Sequence, residues 1–401
     1  VSKTWNRTET WLALVVVAVG GLLTALAGLH AYMTMTATPL HADPQGVPSA
    51  ALAEPGPEWA EAVARGRQVT RAHLAEKNLP GVSVAVGVGG EIVWAEGFGW
   101  ADLETRLPVT PSTRFRIGTA STLLTSAAVG LLLEKGQLKL DDEIQVYVPE
   151  FPKKAWPVTV RQVLGHVAGL RTDGGDEGPL LSRRCERPVE GLQAFADASL
   201  LFEPGTRYRY SSYGWILMSA AVEAAAGEPF LRFMREQVFA PLGMDDTRPD
   251  DATAANAGRA TAYFPRYAAD PRYGLDLMRD VDHSCYAGAS VFVSTPSDLV
   301  RFGMAINGGR LLQPATVQLL QTSQRLPSGE ETGYGLGWDL ETLPLAGRPT
   351  QVTGHDGDLL GGMAASVMLF RERGLVVAVI ANTSYADTPA LALAIAGAFV
   401  D

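Results

Sequence analysis

Six histidines and two cysteines in 401 residues leave few ways to build a metal or redox centre. His283 and Cys285 form the first pair to consider, but no third or fourth ligand follows at a zinc-like spacing. No His-Glu-x-x-His helix, phosphate loop or Gly-x-Ser-x-Gly elbow occurs. Gly87-Val88-Gly89-Gly90 and Gly97-Phe98-Gly99 lack the helix start that a dinucleotide fingerprint needs, so they read as turn and strand glycines. Arg207 and Arg209 flank Tyr210 and could meet an anion, although solvated strand arginines are the commoner case. With 33 Lys and Arg against 43 Asp and Glu, and no dense basic stripe, the chain cannot displace the counterions of nucleic acid. The residues call for no cofactor, no metal and no nucleic acid.

Any remaining chemistry needs a frame. A chain that is 47% hydrophobic and 19% charged, with 42 Gly and 25 Pro, suits a loop-rich α/β body. Helix formers with apolar residues at Trp59, Val63, Val69 and Leu74 predict a helix over Glu58–Lys77, ending before Asn78-Leu79-Pro80. Val82–Val88 and Ile92–Ala95 around Gly89-Gly90 read as a hairpin, with Gly97–Trp100 continuing its second strand. Ser121–Glu134 is long and apolar enough for a buried helix, and Ala364–Phe370 and Leu375–Ala381 read as two more strands. Strands at both chain ends with helices between predict one sheet built from the two termini and a mostly helical insertion. No repeat of solenoid length is apparent.

The N-terminus carries a different signal. Between Glu9 and Asp43 there is no charged residue, and Trp11–Tyr32 is apolar throughout, about the ~20 residues that cross a hydrocarbon core. Trp11 and Tyr32 sit where interfacial aromatics are expected. A cleaved signal peptide is the rival reading, with Ala25-Leu26-Ala27 as the small-residue site; the span length favours an uncleaved anchor. Lys3 and Arg7 precede the span and no Lys or Arg follows until Arg65, which places the N-terminus in the cytoplasm and the body in the periplasm or outside the cell. The acidic balance of that body argues against electrostatic adhesion to anionic lipid. The expected organisation is residues 1–10 cytoplasmic, 11–33 transmembrane, 34–57 a Pro-, Ala- and Thr-rich extended linker, and 58–401 one folded domain. Cys185 and Cys285 either bridge or stay as buried thiols; spacing does not decide.

Several segments then fall into one order: Pro80-Gly81-Val82-Ser83, Phe115-Arg116-Ile117-Gly118, Tyr147-Val148-Pro149-Glu150-Phe151-Pro152, Glu203-Pro204-Gly205-Thr206, Val293-Ser294-Thr295-Pro296-Ser297-Asp298-Leu299, Tyr334-Gly335-Leu336-Gly337-Trp338 and Gly354-His355-Asp356-Gly357. Over about 300 residues the chain resembles the serine β-lactamase and penicillin-binding-protein superfamily, in particular the branch of mitochondrial serine β-lactamase-like proteins, bacterial esterases and peptidases. The resemblance implies a β-lactamase/transpeptidase-like fold of the α/β class: an antiparallel sheet from both chain ends flanked by helices, plus a mostly helical subdomain.

It also implies three converging clusters. The family's Ser-x-x-Lys, nucleophile and proton acceptor one helical turn apart, falls on Thr119-Ala120-Ser121-Thr122, so both positions are threonine. Thr119 keeps a hydroxyl, but Thr122 cannot take a proton near neutral pH. Ser121 offers no rescue, because Leu124 stands three residues on. The family's Tyr-x-Asn falls on Tyr210-Ser211-Ser212, which keeps the phenol and replaces the amide by Ser212. The family's Lys- or His-Thr-Gly falls on His355-Asp356-Gly357, and the oxyanion-hole amide after the glycine on Asp358. Carboxylates at Asp356 and Asp358 are expected to oppose a developing oxyanion and a carboxylate substrate. His166, in Leu164-Gly165-His166-Val167-Ala168-Gly169-Leu170, matches a family histidine with a structural role.

These departures point to a membrane-anchored pseudoenzyme that serves as a structural or interaction subunit of a larger membrane complex. Gly20-Gly21 and Ala25–Gly28 would allow close packing against other membrane-protein subunits. The alternative is a residual serine-type hydrolase (esterase, peptidase or β-lactamase-like), with Thr119 as nucleophile and Tyr210 or His355 as base, in which the acidic pair selects a cationic substrate. A metal-dependent hydrolase built on that pair lacks ligands.

Overall fold

The computed structural model describes residues 7–172, 180, 183–251, 258–279, 281–359 and 362–400. Among the described residues thirteen strands run in chain order: β1 Ser49–Ala51, β2 Gly81–Val88, β3 Glu91–Asp102, β4 Leu107–Pro108, β5 Phe115–Arg116, β6 Arg248–Pro249, β7 Tyr263–Pro265, β8 Leu275–Leu277, β9 Phe292–Ser294, β10 Asp339–Leu345, β11 Arg348–Leu359, β12 Met363–Phe370 and β13 Leu375–Ala381. Six helices matter here: α1 Arg7–Thr36, α2 Ala60–Glu76, α3 Ser121–Glu134, α4 Ser212–Ala226, α5 Pro296–Asn307 and α6 Thr388–Ala398.

The main sheet is antiparallel with the order β1-β3-β2-β13-β12-β11-β10. The β2–β13 pairing, Val84 opposite Val379, joins the two chain ends as the strand pattern requires. Side chains alternate across the pleat, and each face has its own core. Val82, Val84, Val377 and Val379 pack with Leu391, Ile395 and Val63 of α6 and α2. Ala85, Val376, Ala378, Ile380, Val367 and Leu369 face α5 and, further along, the helical region around α3 and α4. Strands β2, β12 and β13 are therefore apolar on both faces, which explains why they read as continuous runs.

Two expectations change. The segment 34–57 is not an extended tether throughout. Leu40 N donates to Asn78 Oδ1 at 2.7 Å, His41 is buried with Nε2 3.0 Å from Leu79 O, and Ser49–Ala51 adds an edge strand to β3. The folded body thus takes in residues well before 58, held by hydrogen bonds to backbone groups and by Val47, which is buried in the core beside α2. Cys185 and Cys285 bridge, with Cα atoms 4.9 Å apart, so the Cys285 sulfur cannot serve beside His283 as a metal ligand.

Helix α1 has the length and composition to cross a membrane: Trp11–Thr36 is 26 residues with mean hydropathy 2.5, and none of its most apolar stretch is buried by the rest of the chain. It stands as a membrane anchor or a signal segment.

Candidate active site

The site is built where β11 passes the entrance of α3. Phe115 and Arg116 pair with β9, and Arg116 is buried with its Nε 2.7 Å from Asp250 Oδ2, a carboxylate also held by Arg259 at 2.6 Å. This fixes the turn Gly118–Ala120 that carries Thr119 into α3. Strand β11 touches the same turn at Gly357, where a Cβ would lie 2.1 Å from Ile117 O and 2.8 Å from Ala120 N. Only glycine permits that approach.

Thr119 is half-buried, and its hydroxyl donates to the Asp356 carbonyl at 3.1 Å. His355 Nδ1 reaches the same carbonyl at 2.6 Å, which makes Nδ1 the protonated nitrogen. Its Nε2 lone pair then accepts the Tyr334 hydroxyl at 3.2 Å. The basic nitrogen of His355 is therefore taken up by a phenol, and the Thr119 proton points at a carbonyl.

One turn into α3, Thr122 is fully buried, its hydroxyl beside the Tyr334 phenol but without a well-formed hydrogen bond. Ser121 is equally buried, with no partner for its Oγ, and so does not open to the cleft. Burial, reinforced by Tyr210, Asp339 and Tyr208, holds the Tyr334 phenol well above its ordinary range, so it stays a donor. In the sequence Tyr334 belongs only to a Tyr-Gly-Leu-Gly-Trp run; its contact with residues 122 and 355 is long-range, and no local signal announces it.

The second cluster does converge. The Tyr210 ring lies 4.2 Å from His166, 5.9 Å from His355 and 6.1 Å from Tyr334, centroid to centroid. Ser212 opens α4 and is buried; the adjacent Ser211 hydroxyl donates to Arg171 O at 2.5 Å. His166 faces two N–H donors, Ser211 N at 3.2 Å and Trp215 Nε1 at 3.3 Å. An imidazolium would oppose both, and burial with the nearby His355 pushes its pKa down to about 3. His166 is therefore neutral. Arg207 and Arg209 are exposed.

The acidic pair corrects the electrostatic expectation. Asp356 stands opposite Ser366 and Asp358 opposite Ala364, on the pleat face that packs on α2 and α6. His355 and Gly357 occupy the other face, toward Thr119. The Asp358 carboxylate accepts Tyr385 N at 3.0 Å, and Asp356 lies beside the Ser366 hydroxyl, with burial pushing its pKa up to about 6. At Thr119 the pair offers backbone rather than carboxylates, so it does not oppose an oxyanion there.

A cavity of about 640 Å³ lies elsewhere. It lies beside the disulfide, with Phe230, Val291 and Arg248 in its wall, and contains none of the Thr119 cluster.

These positions can be set against known proteins. "Serine beta-lactamase-like protein LACTB, mitochondrial" of Bos taurus is 26% identical over 445 residues, covering 84% of this chain and 79% of that protein. "Penicillin-binding protein 4*" of Bacillus subtilis is 28% identical, over 74% of this chain and 66% of that one. Among solved structures, SurE superposes with a TM-score of 0.67 at 27% identity, covering 86% of this chain and 78% of that one. The octameric penicillin-binding protein homologue from Pyrococcus abyssi gives 0.70 at 24%, a likeness of fold, over 82% and 76%. The Beta-lactamase family matches residues 67–400, and the chain belongs to that family of serine hydrolases.

Proposed function

We propose that this member has lost acyl transfer and acts as a membrane-anchored structural or interaction subunit, its N-terminus cytoplasmic and its domain on the far side of the membrane. The observation that carries the reading is at Thr122. Where the chemistry needs a group that can take a proton from residue 119, there is a sealed hydroxyl, and the nearest imidazole base is already hydrogen-bonded to Tyr334. An unactivated alcohol is a weak nucleophile, and general-base assistance alone contributes ~10²–10⁴ in rate. Gly20, Gly21 and Gly28 have nothing within 4 Å, which leaves that helix face open to a neighbouring span.

The second reading, a hydrolase using Thr119 with Tyr210 or His355, is favoured by one fact: the Asp356 and Asp358 carboxylates turn away, so acyl transfer meets no like charge. Hydrolysis of chromogenic esters and a chromogenic cephalosporin by the full chain and Thr119→Ala separates the two. Equal rates support the silent site. Separately, size measurement after mild-detergent extraction is expected to show a complex; a lone monomer would remove the subunit role.

A further inference from the structure

Helix α1 is longer than it needs to be. The 26 residues Trp11–Thr36 rise about 39 Å, against ~30 Å for a hydrocarbon core. About six residues therefore project, and the stretch from His30 onward lies at the headgroup boundary. There it meets the tip of the β7–β8 hairpin: His30 packs edge-on against Tyr273 at 6.0 Å, and Tyr32 against Tyr267 at 6.4 Å.

The chain just beyond the helix is tied to the domain close to that contact. Asn78 uses Oδ1 to accept Leu40 N at 2.7 Å and Nδ2 to donate to Thr38 O at 3.4 Å and Pro271 O at 3.3 Å. One buried side chain thus ties the end of the helix to the hairpin tip. The chain from Thr36 to Leu40 extends at most about 14 Å.

The tip has the composition of an interfacial segment. Its charges cancel locally, Arg266 with Asp276 at 3.0 Å and Arg272 with Asp270 at 2.6 Å. Beside the exposed but paired Arg266 and Arg272, it presents Ala268 and Ala269 outward, flanked by the two half-buried tyrosines.

We propose that the hairpin tip Tyr267–Tyr273 rests in the headgroup layer of the bilayer that α1 crosses, and so holds the domain in one orientation. This rests on the anchor reading. Aromatic partition, not charge, drives the contact, so lipid charge should not matter.

The test uses the full chain in nanodiscs of phosphatidylcholine, alone or mixed with phosphatidylglycerol. Both native cysteines are in the disulfide, so a polarity-sensitive dye reports only an added cysteine. Dye at Ala269→Cys is expected to shift blue and to be quenched by headgroup nitroxide severalfold more than dye at Val146→Cys, a 65% exposed site on the domain. That result in both lipids supports the proposal. Equal, water-like signals at 269 and 146, with Val17→Cys quenched by acyl-chain nitroxide, would overturn the docking and leave the anchor. A water-like signal at 17 would overturn both. Quenching at 269 only with phosphatidylglycerol would overturn the aromatic basis.

Discussion

Replacing Asp356 by Asn tests where its carboxylate lies. The folded carboxyl titrates at about 6 and the unfolded one near 3.8, with burial as the main cause and Ser366 partly offsetting it. At 1.36 kcal/mol per pH unit, this gap amounts to at most about 3 kcal/mol. More than a third of the residue's surface still meets water, so screening reduces the effect to about 1–2 kcal/mol. The sign follows from linkage: below 3.8 both states are protonated and the native state keeps its full stability. As pH rises through about 6 the native state loses that increment, because the unfolded chain ionises more easily. Asp356→Asn should therefore match the parent protein near pH 4 and exceed it by about 1–2 kcal/mol above pH 7. Denaturant titrations of the full chain in detergent from about pH 4 to pH 8, fitted with a common slope, read this directly. A difference that does not change with pH, or an Asn variant weaker at pH 8, would refute the placement against Ser366.

Other substitutions probe the frame. Thr122→Val removes a buried hydroxyl lacking a well-formed hydrogen bond, and stability by denaturant titration should hold or rise by about 0.5–1 kcal/mol. Thr122→Lys must fit a longer side chain against Tyr334 and should cost about 1–3 kcal/mol by the same measurement. Gly357→Ala places a Cβ 2.1 Å from Ile117 O, so calorimetry should show a loss of more than about 2 kcal/mol. Removing the Cys185–Cys285 bridge, which spans 100 residues of sequence, should cost about 2–5 kcal/mol in a comparison of the double alanine variant with the parent protein.

The sheet was legible where strands are buried on both faces. Val82–Val88 and Leu375–Ala381 could be little else, and Ser121–Glu134 is too long an apolar run for a strand. Strand β11 was harder to see, because Arg348–Leu359 is polar along much of its length and is placed by pairing with β10 and β12. The attachment of residues 40–51 has no local signature because it rests on backbone groups, on Asn78 and on the single apolar side chain Val47. At the site, the order of segments singled out Thr119, Tyr210 and His355, and the structure brings Thr119 against β11 and Tyr210 within 5.9 Å of His355. It misjudged Asp356 and Asp358, since a linear motif conceals the two-residue period that turns alternate side chains to opposite faces. Tyr334 was invisible for a different reason: its role exists only once α3, β11 and its own segment meet.

The central claim is that residue 119 is not activated. Intact mass of the full chain, after long exposure to a β-lactam and to a fluorophosphonate, tests it most directly, with Thr119→Ala alongside. The account predicts an unchanged mass for both proteins with both reagents. An adduct on the parent protein that is absent from Thr119→Ala would contradict it and show that acyl transfer survives.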